Sequence, residues 1–269
     1  METNEKNAKT GLTETEMAAD KTAAVMEGKK APVNEPDPLH VIAVIHTEFT
    51  EKFGVPRQSG LVEGLRGEIV FEPEYRNAEA LKGIQEFSHL WLLWGFSHNR
   101  RAEFVPTVHP PRLGGKEKRG VFATRAPFRP NEIGLSCVRL EEVIWESAQG
   151  AKLIVGGADL VSGTPIYDIK PYLPYTDAHP EASGGFGQAH LHCEIEVEFP
   201  LRLLERLPKE KRETAVRLLR QDPRAAYQKQ PGAIYGMHFA GYDIRFLEKE
   251  GRLCVCDVVD AADGVKKVK

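Results

Sequence analysis

Three stretches carry residue types suited to chemistry. In Val55-Pro56-Arg57-Gln58, a proline that fixes φ presents a guanidinium and a carboxamide from one turn. Those two groups can hydrogen-bond a heterocyclic base or a carboxylate, although the same residues also make an ordinary surface turn. Asp222-Pro223-Arg224, followed by Tyr227, closes a helical pattern. Asp-Pro stops a helix in its own right; beyond that, Arg224 suits a phosphate and Tyr227 suits stacking on an unstacked base. The third stretch, Pro106 to Ser136, is dense in Pro, Gly and Arg and lies between two runs that read as strands. Such a composition shapes a loop system, and loops on a rigid scaffold are where sites are built. From Arg100 to Arg129 there are eight basic residues, Lys116, Lys118, Arg119, Arg125 and Arg129 among them, against two acidic ones. A local positive field of this kind is either a solvated basic loop or a surface for a polyanion or for a ligand with a carboxylate and a base.

Several familiar devices are absent. No GxGxxG follows a strand and opens a helix, and there is no GxxxxGK loop. Gly156-Gly157-Ala158-Asp159 sits between strands, which makes it a tight turn, not a dinucleotide fingerprint. No GxSxG elbow is present. His190 and His192 would share a strand face, but no carboxylate or cysteine completes a ligand set, so no metal is expected. Cys137, Cys193, Cys254 and Cys256 contain no CxxC; Cys254 and Cys256 read as small apolar groups on one strand face, and the compartment reads as a reducing cytoplasm. The longest apolar run, Leu90 to Phe96, is far short of the ~20 residues that cross a bilayer. The N-terminus lacks the charged-then-apolar order of a secretory signal.

At 269 residues and 41% apolar, the chain suits one large domain or one domain with a small second one. Residues 1–37 hold eight acids and five bases, so this polar stretch alone supplies the formal charge of −3. Its composition cannot offset its ordering entropy, and it is expected to be a disordered tail. The body is then charge-neutral, and nucleic acid would need a local patch, not bulk charge.

From Leu39 onward, short β-branched and apolar runs alternate with turn signals. LHVIAVIHTEF, GEIVFEP, the fully apolar LWLLWGF, GVFATR, IGLSCVRLEEVIWE, AKLIVGG and the run into YDIKPYLPY all read as strands, with Asn77 capping a short helix between two of them. Alternating βαβ units are not evident, so a barrel is favoured over a doubly wound sheet. LHCEIEVEF reads as a further strand returning to the barrel. PLRLLERLPKEKRETAVRLLRQDPR is helical in two pieces broken near Pro208, and the chain finishes with a hairpin through KEGR. The fold class is mainly β: a non-Rossmann barrel over 38–190 and a small α+β C-terminal domain over 191–262, followed by a polar tail over 263–269.

Taken in order, VPRQSGLV, FSHLWLLWGF, VHPPRLGG, GVFATRAPFRPNEIGLS, DLVSGTPIYDIKPYLPY and DPRAAY resemble the TsaA-like (TrmO-type) tRNA methyltransferases. The resemblance covers about 39–246. It implies a barrel that holds S-adenosylmethionine, methylation of the exocyclic nitrogen of N6-threonylcarbamoyladenosine at tRNA position 37, a C-terminal domain that helps hold the anticodon loop, and a homodimer. It implies cofactor contacts at Pro56, Arg57, Gln58, His98, Asn99, Arg125, Leu135, Asp159, Leu160, Val161 and Ser162. Asn99 stands where some relatives have Gln, and Ser162 where Asp is expected. The DPRxxY signature falls on Asp222, Pro223, Arg224 and Tyr227, with Lys116, Lys118 and Arg119 as further tRNA contacts. Arg125 and Arg129 suit stabilisation of a developing anion, or Arg129 a pairing with the threonyl carboxylate; Asp159, Asp168 and Tyr172 are the candidates for a base. Two other readings fit the same residues: a module that binds S-adenosylmethionine or RNA without chemistry, and a small-molecule methyltransferase on the same barrel.

Overall fold

The computed structural model describes residues 38–96, 105–110, 117–188, 194–224, 229–230 and 232–264. The tail over 1–37, and with it the expectation of disorder there, lies outside the described residues, as do His98, Asn99, Lys116, His190, His192 and Tyr227. The chain from His40 onward forms one unit.

The apolar runs become strands β1 (Ala43–Thr47), β2 (Arg66–Phe71), β3 (His89–Gly95), β4 (Thr107–Val108), β5 (Arg119–Gly120), β6 (Ile133–Ile144), β7 (Lys152–Gly156) and β8 (Thr164–Pro171). Six of them close into a barrel in the order β1-β2-β7-β6-β3-β8, every pairing antiparallel. Closure leaves no free sheet edge, which is what permits so many apolar strands in one layer. Ala43, Ile45, Ile69, Leu90, Leu92, Val138, Leu153, Val155 and Ile166 point inward and form one core. The β3 run is apolar throughout, yet it alternates: Leu90 and Leu92 are fully buried, while Trp91 and Leu93 face outward and are half-buried. Trp91 is held there by its indole N–H donating to Asp177 at 2.9 Å and by Tyr172 at 5.7 Å between ring centroids.

GVFATR departs from the strand expectation. After β5 the backbone turns through a 3-10 helix, Val121–Ala123. The cause is local. The Arg129 guanidinium donates through Nη1 to the carbonyls of Val121 and Thr124 at 3.2 and 2.7 Å, and the Thr124 hydroxyl donates to the Val121 carbonyl. Carbonyls satisfied by side chains do not need a neighbouring strand. The Asn77 cap is present, accepting from the Glu79 amide at 3.0 Å, but the element it opens is also 3-10, Ala78–Leu81.

The C-terminal part is a four-stranded sheet of β9 (Glu196–Glu198), β10 (Ile234–Phe239), β11 (Tyr242–Lys249) and β12 (Arg252–Asp260), in the order β10-β11-β12-β9. Here the expected return of LHCEIEVEF to the barrel is corrected: β9 pairs in parallel with β12 instead. Its approach is set by the Ile195 amide bonding to the Arg220 carbonyl, and Val197 packs into the core beneath the sheet. The helices α1 (Leu201–Leu204) and α2 (Lys209–Arg220) break at Pro208 as expected, and Ala215, Leu218 and Leu219 of α2 are buried with Thr214 while Val216 stays half-exposed. Cys254 and Cys256 are a further correction. Leu253 and Val255 take the core face of β12, leaving Cys254 half-buried beside Glu198 and Cys256 exposed.

The second core is not built from the C-terminal part alone. Phe49, Val62 and Leu65, all in the connection between β1 and β2, are buried in it with Phe239, Phe246 and Met237. The VPRQ turn lies inside that connection, so the sheet beyond the barrel sets its position. Among the described residues, no helix is long and apolar enough to cross a membrane.

Candidate active site

The turn over residues 55–60 lies across one rim of the barrel. Its two ends are fixed differently. On the C-terminal-sheet side, Phe53 stacks on Tyr235 and Phe246, with ring centroids 6.4 Å apart in both pairs. Gly54, at φ +95°, sits so close to Met237 that a Cβ would lie 2.5 Å from its Cγ. Only glycine supplies both that backbone and that clearance. On the barrel side, the Gly60 amide donates to the Gly157 carbonyl at 2.9 Å, and the Ser59 hydroxyl accepts from the Cys137 amide at 3.2 Å. Gly157, at φ +75°, would carry a Cβ 3.2 Å from the Gly60 backbone, so two glycines let the segments meet back to back. The Gly156–Asp159 stretch is therefore a turn, and one that seats the VPRQ loop.

Between these anchors the polar groups line up. Arg57 is exposed and its Nη2 donates to the Asp222 carbonyl at 3.2 Å. Gln58 donates to the Arg57 carbonyl and accepts from Arg125 Nη1, each at 2.5 Å. Pro56 is buried beneath them. Asp159 follows the β7 turn, and its Oδ1 accepts from the Ser136 hydroxyl at 2.6 Å; that hydroxyl in turn accepts from the Trp94 indole at 3.0 Å. Burial pushes the Asp159 carboxyl above the usual carboxylate range, against the pull of the Ser136 hydrogen bond and the Arg125 charge. Leu135, next to Ser136 on β6, turns the other way and is 46% exposed, a large apolar side chain left uncovered at the rim.

The residues after Asp159 play a different part. Leu160 and Val161 are buried, the Leu160 carbonyl accepts from the Thr47 hydroxyl at 2.8 Å, and the Ser162 amide donates to the Phe49 carbonyl at 2.8 Å. This segment is tied through its backbone to the end of β1 and the start of the connection that follows it. Arg129 is half-buried, spans the Val121–Thr124 turn and lies 5.6 Å from the Phe122 ring, whose residue is 71% exposed. Lys118 is exposed, and Arg119 pairs with Glu117 at 2.7 Å. Asp168 pairs with Lys170 at 2.8 Å on the outer surface of β8, and Tyr172 packs on Trp91 and His89, so these interactions bring neither of them to Asp159.

Arg224 differs most from its expected exposure. It is 3% exposed, with Nε and Nη2 on the two carboxylate oxygens of Asp222 at 2.8 and 3.1 Å. Sequence reasoning also missed Ser136, Trp94 and Ser59. Ser136 left a faint trace, as a lone hydroxyl at an inward position of an otherwise apolar alternation in β6.

The site thus places one exposed apolar side chain, Leu135, beside an amide, a guanidinium, a carboxylate and turn backbone. This donor set fits S-adenosylmethionine, whose adenine, ribose hydroxyls and amino-acid end need just such a mixture. A closed, wholly antiparallel barrel with polar groups gathered on its rim loops defines the class as a non-Rossmann β-barrel. Comparison with known proteins gives the family. The profile of the tRNA-methyltransferase O N-terminal domain matches residues 44–178, and that of the TrmO C-terminal domain matches residues 192–261. The chain is similar to the tRNA (adenine(37)-N6)-methyltransferase of Escherichia coli, 42% identical over 213 residues, 76% of this chain and 90% of that protein. It is similar to the protein of the same description from Eikenella corrodens, 42% identical over 66% of this chain and 99% of the other. A crystal structure of TrmO from P. aeruginosa superposes with a TM-score of 0.67 at 35% identity, covering 84% of this chain and 98% of that one. The chain belongs to the TrmO family of tRNA methyltransferases.

Proposed function

We propose that the protein methylates the exocyclic nitrogen of N6-threonylcarbamoyladenosine at position 37 of tRNA. The coarser activity is that of its family: it is an S-adenosylmethionine-dependent tRNA methyltransferase acting on N6 of adenine 37. When bound, the cofactor supplies an electrophilic methyl group on a sulfonium, so no nucleophilic side chain is required. Pro56, Gln58, Arg125, Leu135 and the Asp159–Ser162 backbone would hold it, and Arg57 would fix the loop that carries Pro56 and Gln58.

The acceptor nitrogen is conjugated to both purine and carbamoyl, so it is a poor nucleophile and must lose a proton. The observation that carries this reading is a half-buried Asp159 carboxyl that feels the charge of Arg125, whose guanidinium is held at the same rim by Gln58. A carboxyl whose affinity for a proton is raised by burial is suited to accept one, and a fixed guanidinium is suited to the threonyl carboxylate or to the developing negative charge. Ser136 and Trp94 hold the carboxyl in register. Arg129 adds positive charge while keeping the Val121–Thr124 turn, and Phe122 on it, presented outward. Placement of the two reactants in one orientation contributes up to ~7–11 kcal/mol, which leaves acid–base help a smaller share.

The anticodon loop would lie over the basic loop, with Lys118 and Arg119 neutralising phosphate. We take the working unit as a homodimer in the cytoplasm. A single-subunit mass from light scattering at assay concentration would overturn the dimer. The substrate is tested by incubating the protein with labelled S-adenosylmethionine and tRNA from cells with or without threonylcarbamoyl modification, then digesting to nucleosides. Label should appear only in the modified nucleoside. Equal labelling of plain adenosine at position 37 would show that the threonylcarbamoyl group is not required.

A further inference from the structure

We propose that Asp222 and Arg224 are positioning residues for the cofactor loop, acting through Arg57, and that Arg224 does not contact tRNA phosphate. The proposal rests on the assignment of the Pro56–Gln58 turn and Arg125 to the cofactor.

A phosphate-binding arginine must offer free donors at a surface. Arg224 is only 3% exposed, Nε and Nη2 of its fork are taken by the Asp222 carboxylate, and its guanidinium carbon lies 5.7 Å from the Tyr235 ring centre. Asp222 also accepts from Lys229 Nζ at 2.9 Å. The pair is closed upon itself, and what it offers outward is backbone. Asp222 follows the end of α2 with φ +45°, a left-handed conformation that an L-residue other than Asn or Asp seldom takes. Its amide donates to the Leu219 carbonyl at 3.0 Å, and its own carbonyl receives Arg57 Nη2. The bidentate grip of Arg224 and the ion pair with Lys229 fix the Asp222 side chain above that backbone.

From there the bonds run without a gap into the rim. Arg57 accepts from Gln58 at its carbonyl, and Gln58 accepts from Arg125, whose charge falls on Asp159. Tyr235 supports the arrangement from below, stacked on Phe53 at the root of the same turn while lying under Arg224. The signature after α2 is thus the foundation of a loop that reaches the cofactor, with 165 residues separating Arg57 from Asp222.

The test uses the full-length protein and measures S-adenosylmethionine affinity by calorimetry with no RNA present, and tRNA affinity at several salt concentrations with no cofactor. The variants are Arg224→Met, Asp222→Asn, Arg57→Met, and Arg57→Met combined with Asp222→Asn. Asn keeps the left-handed φ accessible, so Asp222→Asn carries the test even if Arg224→Met does not fold. Thermal melting establishes which variants are folded at the assay temperature. Asp222→Asn and Arg224→Met should each weaken cofactor binding about tenfold or more without RNA, raise its KM in turnover, and leave the salt slope of tRNA binding unchanged. Added to Arg57→Met, Asp222→Asn should weaken cofactor binding no further, because both act through one bond. Additive losses, or unchanged cofactor affinity with a salt slope shallower by roughly one ion, would overturn the proposal in favour of a phosphate contact. If Arg57→Met alone leaves cofactor affinity intact, the assignment of this loop to the cofactor fails instead.

Discussion

Asp159 sits where two environments compete. Burial raises its affinity for a proton, while Ser136 and Arg125 favour its charged form, and burial wins. The sign of the consequence is definite. An acid whose folded-state value lies above its unfolded value of 3.8 weakens folding as pH rises through the folded value, and below about 4 the difference vanishes. Asp159→Asn should therefore melt at or above the wild-type temperature near neutral pH, with the difference closing in acid, while methyl transfer falls by about 10²-fold or more. A melting temperature several degrees below wild type at pH 7 would mean that the carboxylate stabilises the fold. Removing the Ser136 hydroxyl takes away a bond to the charged form, so Ser136→Ala should move the acid limb of the kcat–pH profile to higher pH. Asp222 has the opposite sign. Burial alone would raise it, but Arg224 and Lys229 hold its carboxyl below the usual range, so its contribution is present above about 4 and is lost as pH falls further. Arg57, Gln58 and Asp159 were legible as polar groups at turns marked by Pro and Gly. Ser136 and Trp94 were not, because their meaning depends on strands that are distant in sequence closing side by side.

The decisive element is the connection between β1 and β2. In sequence it reads as a loop of the barrel, yet its apolar residues Phe49, Val62 and Leu65 are buried in the second core. Turn chemistry announced the loop, and nothing local announced which core would receive it. The same limit explains β9, whose alternating pattern specified a strand but not a partner, and the Val121–Thr124 turn, where the Arg129 side chain, five and eight residues further on, satisfied the carbonyls that a strand would have used. Gly54 offers a probe of the connection that touches no ligand. Gly54→Ala places a Cβ against Met237 in a left-handed backbone, an overpacking that costs about 1–3 kcal/mol. It should lower the melting temperature and also weaken S-adenosylmethionine binding; a variant that melts lower yet binds normally would separate the loop from the sheet. In the basic loop, Lys118→Glu should weaken tRNA binding and flatten its dependence on salt by about 0.7–0.9 in log–log slope for each phosphate no longer neutralised. An unchanged slope would put the RNA on another face.

Across the whole molecule the barrel and the C-terminal sheet share a segment, and this decides how far either can act alone. The barrel keeps its own closed hydrogen bonding and its own core of inward Ile, Leu and Val, so a chain ending at residue 190 retains the elements of a folded β structure. It loses Phe239, Phe246, Met237 and Tyr235, the groups against which Phe49, Phe53 and Val62 are packed. Exposing an aromatic side chain of this kind removes about 1.5–3 kcal/mol of burial, which is enough to free the connection without unfolding the strands on either side. The truncated chain should then show a β-type far-ultraviolet spectrum and a cooperative melt at reduced temperature. It should bind S-adenosylmethionine at least about tenfold more weakly than the full chain, in the absence of any RNA. Adding the separate C-terminal piece should restore some affinity, since the interface that orders the connection is apolar and local. Cofactor affinity equal to that of the intact protein would show that the barrel orders its rim unaided, and the sheet would then be left with the tRNA as its only task.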